Sequence, residues 1–293
     1  MTTHHETYTA APFGPAMMLK ALWPTAGWNA KQGFPDHSFI WRNYQVSTEL
    51  LEILQGLAGR DDAAARRHSL ILAPHVSGLR LTMAMLMHPS WPLPIWRALQ
   101  VRNRLIRNAD LKLDTPSDLI VQATAWRVSD KGIELEVHAQ LIQDDDCPWE
   151  SVVTFLYRGR YAGPAHHGEA CGAPPESPVV DRRIDPVAHW RLDSRQRLRF
   201  AALTGDYNPL HLLDAYARRT GFVAASLHPQ RILAGCLGHL DIAETPHQLD
   251  VWLKGPVYYG RDVELRRVPS AEGDDFALWV DGDERPAMVG TIR

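Results

Sequence analysis

The sequence predicts an α+β fold in which an antiparallel sheet curves around one buried helix, and it predicts that arrangement twice. Three observations carry the prediction. Residues 73–87 and 229–240 both read as helices that are apolar nearly all round, which places them inside a core rather than on a surface. Each is followed by segments rich in strand formers and punctuated by turn residues. A stretch rich in Pro and Gly, residues 162–183, separates the two sets and has the composition of a linker. The order helix then strands is that of an α+β domain. The resulting division is an extension over 1–59, a first repeat over 60–161, the linker over 162–183 and a second repeat over 184–293.

Taken in order, the extension offers only a helix over 44–57. The helix over 73–87 opens with Pro74 in its first turn and stops before Pro89. Residues 119–128 are rich in strand formers, and over 133–141 apolar Ile133, Leu135, Val137, Ala139 and Leu141 alternate with mostly polar neighbours. That period of two marks a half-buried strand. Ser129-Asp130-Lys131-Gly132 between them is a turn, so the pair is expected as a hairpin, with a third strand over 151–157. In the second repeat, residues 194–203 and 213–220 are helical, the latter closed by Gly221. The helix over 229–240 starts at Pro229, and Ala234, Gly235, Cys236 and Gly238 allow it to lie close against a sheet. Strands are expected over 248–253, 263–268 and 276–280.

Composition excludes several functions. The 293 residues are 45% hydrophobic, enough for a sizeable core. With 31 basic against 34 acidic residues there is no positive excess for a nucleic-acid backbone, and no nucleic-acid partner is expected. The three cysteines have no metal-site spacing and no even count for a disulfide framework. No apolar run approaches the roughly 20 residues of a membrane helix; the richest, 81–96, is broken by His88 and prolines. The N-terminus lacks a basic segment followed by an apolar core, so a cytoplasmic protein without membrane association is expected.

Chemistry concentrates in Leu203-Thr204-Gly205-Asp206-Tyr207-Asn208-Pro209-Leu210-His211. Gly205 permits a tight turn, and the Asn208-Pro209 pair favours extended geometry before the proline. Such a loop can aim Asp206 and His211 at one water, where a carboxylate and an imidazole form an acid/base pair. Asn208 can orient either. Turn chemistry alone explains Asp and Asn beside Gly and Pro about equally well; His211 tips the balance towards catalysis. His4-His5 and His166-His167 read as solvated, Cys236 as a buried inert thiol, and Trp91 and Trp96 as core. Arg195, Arg197 and Arg199 read as a solvated face rather than a phosphate site.

The segment 204–211 resembles the signature of the MaoC-like, (R)-specific enoyl-CoA hydratases, and Ala215-Tyr216-Ala217 and Gly221-Phe222 resemble its continuation. Residues 72–104 resemble the amino-terminal repeat of double hot-dog acyl dehydratases. The resemblance implies a double hot-dog fold and reversible hydration of trans-2-enoyl thioesters to (3R)-3-hydroxyacyl thioesters. Asp206 and His211 would be the acid/base residues and Asn208 their support. The implied partner is a thioester of coenzyme A or acyl carrier protein, with no metal or other cofactor and a homodimer as an admissible assembly. The first repeat, lacking the motif, would shape the acyl pocket.

One departure stands out. Family members carry His-Gly at the start of the buried helix, where the glycine N–H polarises the thioester carbonyl. An ungapped alignment puts His228-Pro229 there, and proline has no N–H. Gln230 or Arg231 in the first turn could replace that donor; a gapped alignment would instead bring Gly235 to the position. The ungapped version is favoured, because Pro229 makes a natural helix start. A hot-dog thioesterase, and an acyl-thioester binding protein weakened by Pro229, remain as alternatives.

Overall fold

A computed structural model describes residues 4–12, 14–59, 63–163, 165–168, 176–240, 247–270 and 273–293. The chain divides into two compact units that are interleaved rather than consecutive: 1–45, 74–175 and 204–206 in the first, and 46–73, 176–203 and 207–293 in the second. The cuts at 59, 161 and 183 expected from the sequence therefore do not follow the units.

In the first unit, β1 (His4–Tyr8), β2 (His37–Tyr44), β3 (Ala98–Arg107), β4 (Ser117–Ser129), β5 (Gly132–Gln143) and β6 (Asp146–Arg158) form a sheet in the order β1-β2-β4-β5-β6-β3. All neighbours are antiparallel except β1 and β2. The alternation in 133–141 is realised: Ile133, Leu135, Val137 and Leu141 are buried, while Glu134, Glu136, His138 and Gln140 are half-buried on the other face. The 129–132 turn pairs Ser129 with Gly132, whose φ of 146° suits glycine, and joins β4 to β5 as expected. A bulge between Ala123 and Ala125 bends this ladder.

The buried helix is longer than expected. The helix α3 (Ala63–Leu86) has 24 residues and carries Pro74 in its interior, not its first turn. Continuous burial from Ile71 to Leu79 sustains it, because that burial outweighs the backbone bond the proline removes. By length and composition, 68–86 could cross a membrane, yet 89% of that window is buried inside the protein, as in a core helix. Tyr44 Oη donates to Ser77 Oγ at 3.0 Å and ties β2 to this helix. Trp91 is fully buried and donates to Tyr157 Oη at 3.2 Å, whereas Trp96 is partly exposed. Within the expected linker, β7 (His166–Gly168) pairs with β4, and His167 stacks on Trp126 at 5.3 Å. Linker positions 164 and 169–175, Cys171 among them, lie outside the described residues.

The second unit contains α2 (Thr48–Ala58), capped by Ser47 and ended by Gly59 in the left-handed region. It also holds β8 (Ala188–Arg191), α4 (Arg197–Thr204), α5 (Pro209–Leu212), α6 (Asp214–Arg219) and α7 (Pro229–His239). Strands β9 (Gln248–Leu253), β10 (Asp262–Ser270), β11 (Gly273–Val280) and β12 (Met288–Ile292) complete an antiparallel sheet in the order β9-β12-β11-β10-β8. Phe276 faces Gly290 across β11 and β12, so close that a Cβ on Gly290 would lie 2.4 Å from the ring. The small residues of α7 admit two neighbours rather than a sheet alone. Gly235 meets Trp190 of β8, and Gly238 meets Ala58 of α2.

Candidate active site

Local folding fixes the 204–211 loop. Thr204 ends α4 and is fully buried, and its hydroxyl accepts from the Asp206 N–H at 3.2 Å. Gly205 turns the chain at φ 71°, a left-handed conformation costly to other residues. Asn208 is the N-cap of α5: its side-chain oxygen accepts from the Leu210 N–H at 3.0 Å, and Pro209 occupies the first helical position. Asn208 is therefore engaged in holding the short helix that carries His211. The same cap that forms the turn holds the segment carrying His211.

The segment before α7 holds His211 from the other side. The Ser226 N–H donates to the Leu210 carbonyl at 3.1 Å, and the Ser226 carbonyl lies 2.9 Å from His211 Nδ1. A carbonyl oxygen can only accept, so Nδ1 of the neutral ring carries the proton and Nε2 the lone pair. Asp206 and His211 are half-buried. One side-chain donor atom from each of Asp206, His211 and His228 lies within 4.8 Å of the other two. The carboxylate and the imidazole are thus brought together as the sequence requires, and a third group joins them.

His228 is that third group, which the sequence reading located only as an alignment position. It is buried and is the N-cap of α7, and its ring lies 4.1 Å from that of His211 at an interplanar angle of 30°. The signal available in the sequence was the His-Pro pair directly before an apolar helix. Two histidines and an aspartate are also a metal-ligand set. The two rings are tilted by 30° with centroids 4.1 Å apart, and the same three groups can also share protons as an acid/base cluster.

Pro229 stands at the first position of α7, as the ungapped alignment places it. The Arg231 N–H returns to the His228 carbonyl at 3.0 Å, and the first backbone N–H of the helix belongs to Gln230. Gly235 sits deep in the helix, its Cβ position 3.5 Å from Trp190, and so is not at the helix start. Arg231 is buried, donates to the Arg195 carbonyl at 2.8 Å and packs against the rings of Phe200 and Tyr259. Burial raises the Tyr259 hydroxyl above its ordinary pKa, and Arg231 and Arg197 partly offset this. Arg195 pairs with Asp193 and Arg199 with Glu49, which leaves the arginine cluster largely neutralised. Burial also pushes the Cys236 thiol well up, consistent with an inert core residue.

No profile of a known family matches the chain. A curated relative, 3-hydroxyacyl-thioester dehydratase X of Mycobacterium tuberculosis, is 23% identical over 205 residues, covering 69% of this chain and 71% of that protein. The crystal structure of the same protein, HtdX, superposes with a TM-score of 0.70 at 17% identity, over 87% of this chain and 99% of that one. A MaoC-like dehydratase from Phytophthora capsici gives 0.72 at 15% identity, over 91% and 98%. A conserved hypothetical protein of M. tuberculosis with a double hotdog fold gives 0.52 at 13%, over 86% and 94%. The structures establish the fold. The chain has the double hot-dog fold, and its sequence is similar to that of a 3-hydroxyacyl-thioester dehydratase.

Proposed function

We propose that the protein catalyses the reversible hydration of trans-2-enoyl thioesters to (3R)-3-hydroxyacyl thioesters, carried on coenzyme A or acyl carrier protein. The observation that carries this reading is the convergence of Asp206 and His211, with the His211 tautomer fixed by Ser226. In the hydration direction the pair binds one water. The lone pair of His211 Nε2 takes a proton as the oxygen adds to Cβ of the enoyl group, and the electron pair moves to the thioester carbonyl as an enolate. The proton that His211 has taken is then delivered to Cα, so that water is added overall and the pair is returned to its starting state. Asp206 holds the water and supports the charge that appears on the imidazole.

The enolate oxygen needs a donor. The start of α7 carries the positive end of the helix dipole, and Pro229 removes the first N–H from it. In this reading the Gln230 N–H takes that role. A cytoplasmic setting suits the free thiols Cys147 and Cys236, and a homodimer is an admissible assembly. No metal or redox cofactor enters the proposed chemistry.

The test is turnover of crotonyl-CoA and of a longer trans-2-enoyl-CoA, followed by loss of the conjugated absorbance and by release of free thiol. Loss of conjugation without thiol release is the expected result. Thiol release would mark a thioesterase, and absence of turnover on both CoA and carrier-protein thioesters would overturn the reading. Pro229 favours one second reading, a protein that binds acyl thioesters without turning them over.

A further inference from the structure

His228 breaks a local rule. A helix N-cap is normally Ser, Thr, Asp or Asn, whose side chain accepts a bond from the first turn. His228 makes no such capping bond to α7 and is only 1% exposed. Placing a polar ring in a buried cap position costs stability unless another task recovers it. Its surroundings show the task. Pro229 restricts the preceding residue to extended backbone, and His228 has φ −63° and ψ 136°. On one side its ring meets Phe200 at 5.3 Å, and it meets His211 at 4.1 Å. Phe200 is itself fully buried in α4 and sits under the Arg231 guanidinium. The ring contacts Phe200–His228 (tilted by 51°) and His228–His211 (tilted by 30°) are therefore backed by core.

We propose that His228 is a positioning residue for His211. The Ser226 carbonyl fixes His211 within the plane of its ring, through Nδ1. The face of His228 fixes it perpendicular to that plane. Two restraints in orthogonal directions hold Nε2 at one point, which is what a proton acceptor needs if a displacement of about 1 Å is to be avoided. The aromatic face also lies against the imidazolium that His211 becomes once it has taken the proton, an attraction that grows as charge appears. The proposal rests on the reading of His211 as the acid/base group.

The experiment compares wild type, His228→Ala and His228→Phe. Phenylalanine retains a flat aromatic face and the volume; alanine removes both. Turnover of a trans-2-enoyl-CoA is expected to fall on the order of 10- to 100-fold in His228→Ala, chiefly in kcat with KM changed little, and His228→Phe should recover most of it. Side-chain nitrogen NMR of the unliganded proteins reads the same contact without any substrate. The wild type and His228→Phe should show His211 as the Nδ1–H tautomer, and His228→Ala a mixture. An unaltered His211 spectrum together with wild-type kcat in His228→Ala would overturn the proposal. So would a His228→Phe variant that folds normally and is as slow as His228→Ala, since the ring nitrogen and not the face would then be needed. If no enoyl thioester turns over in the wild type, the functional reading fails, and the NMR comparison still decides whether His228 orients His211.

Discussion

Gly238 of α7 and Ala58 at the end of α2 are in backbone contact: a Cβ on Gly238 would fall 2.4 Å from both the Cα and the Cβ of Ala58. No side chain fits without separating the two helices. Gly238→Ala should therefore lower stability by about 1–3 kcal/mol, the usual cost of overpacking, although alanine favours a helix intrinsically. Urea unfolding measures it. A variant as stable as wild type would show that the helices are not held at this distance.

Asp206 and His211 act on one water in the proposed mechanism. Asp206→Asn and His211→Ala should each reduce turnover about 10²- to 10⁴-fold. The double variant should be little worse than either alone, because residues that work as a unit do not contribute additively. Unfolding midpoints report whether the loop survives. Full turnover in both single variants would remove this pair from the mechanism.

Pro229→Gly separates the hydratase from the binding protein. It restores a backbone N–H at the first position of α7, and one oxyanion donor is worth about 10²- to 10³-fold in rate elsewhere. A gain in kcat is expected, set against about 1 kcal/mol of stability lost to the looser glycine. Tight acyl-CoA binding with no turnover in either protein would support the binding reading. Vigorous wild-type turnover left unchanged by the substitution would mean that the carbonyl is held by a different group.

His75 of α3 supplies a pH dependence of stability. Desolvation lowers its pKa from the ordinary 6.5 to about 4, and its Nδ1 lies 3.4 Å from Ser151 Oγ. The unfolded chain therefore binds a proton between pH 6.5 and 4 that the folded protein does not. Stability contributed by the neutral ring is complete above pH 6.5 and falls as the pH drops through this window, by up to about 3 kcal/mol. His75→Gln should flatten the decline of urea midpoints between pH 7 and pH 4. An equally steep decline in that variant would assign the proton uptake to other groups.

Much of the architecture is legible in the sequence where periodicity is strong. The alternation of 133–141, the turn at Gly132 and the helix opening at Pro229 each specify their element locally, and each is observed. What escaped has physical reasons. β3 interleaves arginines with apolar residues (Val101-Arg102-Asn103-Arg104-Leu105) on a strand half-buried along most of its length, so charge masks its pattern. β2 was covered by the expectation of an N-terminal extension, although Phe39 and Tyr44 are buried in the first unit. Pro74 read as a helix start because proline is favoured there, whereas buried His68, Ser69, Ile71, Leu72 and Ala73 precede it in α3. At the site, the spacing of Asp206, Asn208 and His211 was visible, whereas the ring contact of His228 with His211 depends on how the segment 224–228 returns to α5.

The interleaving of the two units has a consequence for biosynthesis. α2 emerges from the ribosome early, carrying Leu50, Leu51, Ile53 and Leu54, all buried in the finished protein. Its partner α7, which meets it at Gly238, is translated far later, on the order of ten to thirty seconds afterwards at ordinary elongation rates. During that interval a nascent amphipathic helix has no native surface to cover it. Chains stalled or truncated before Pro229 should accordingly aggregate or be retained by holdase chaperones.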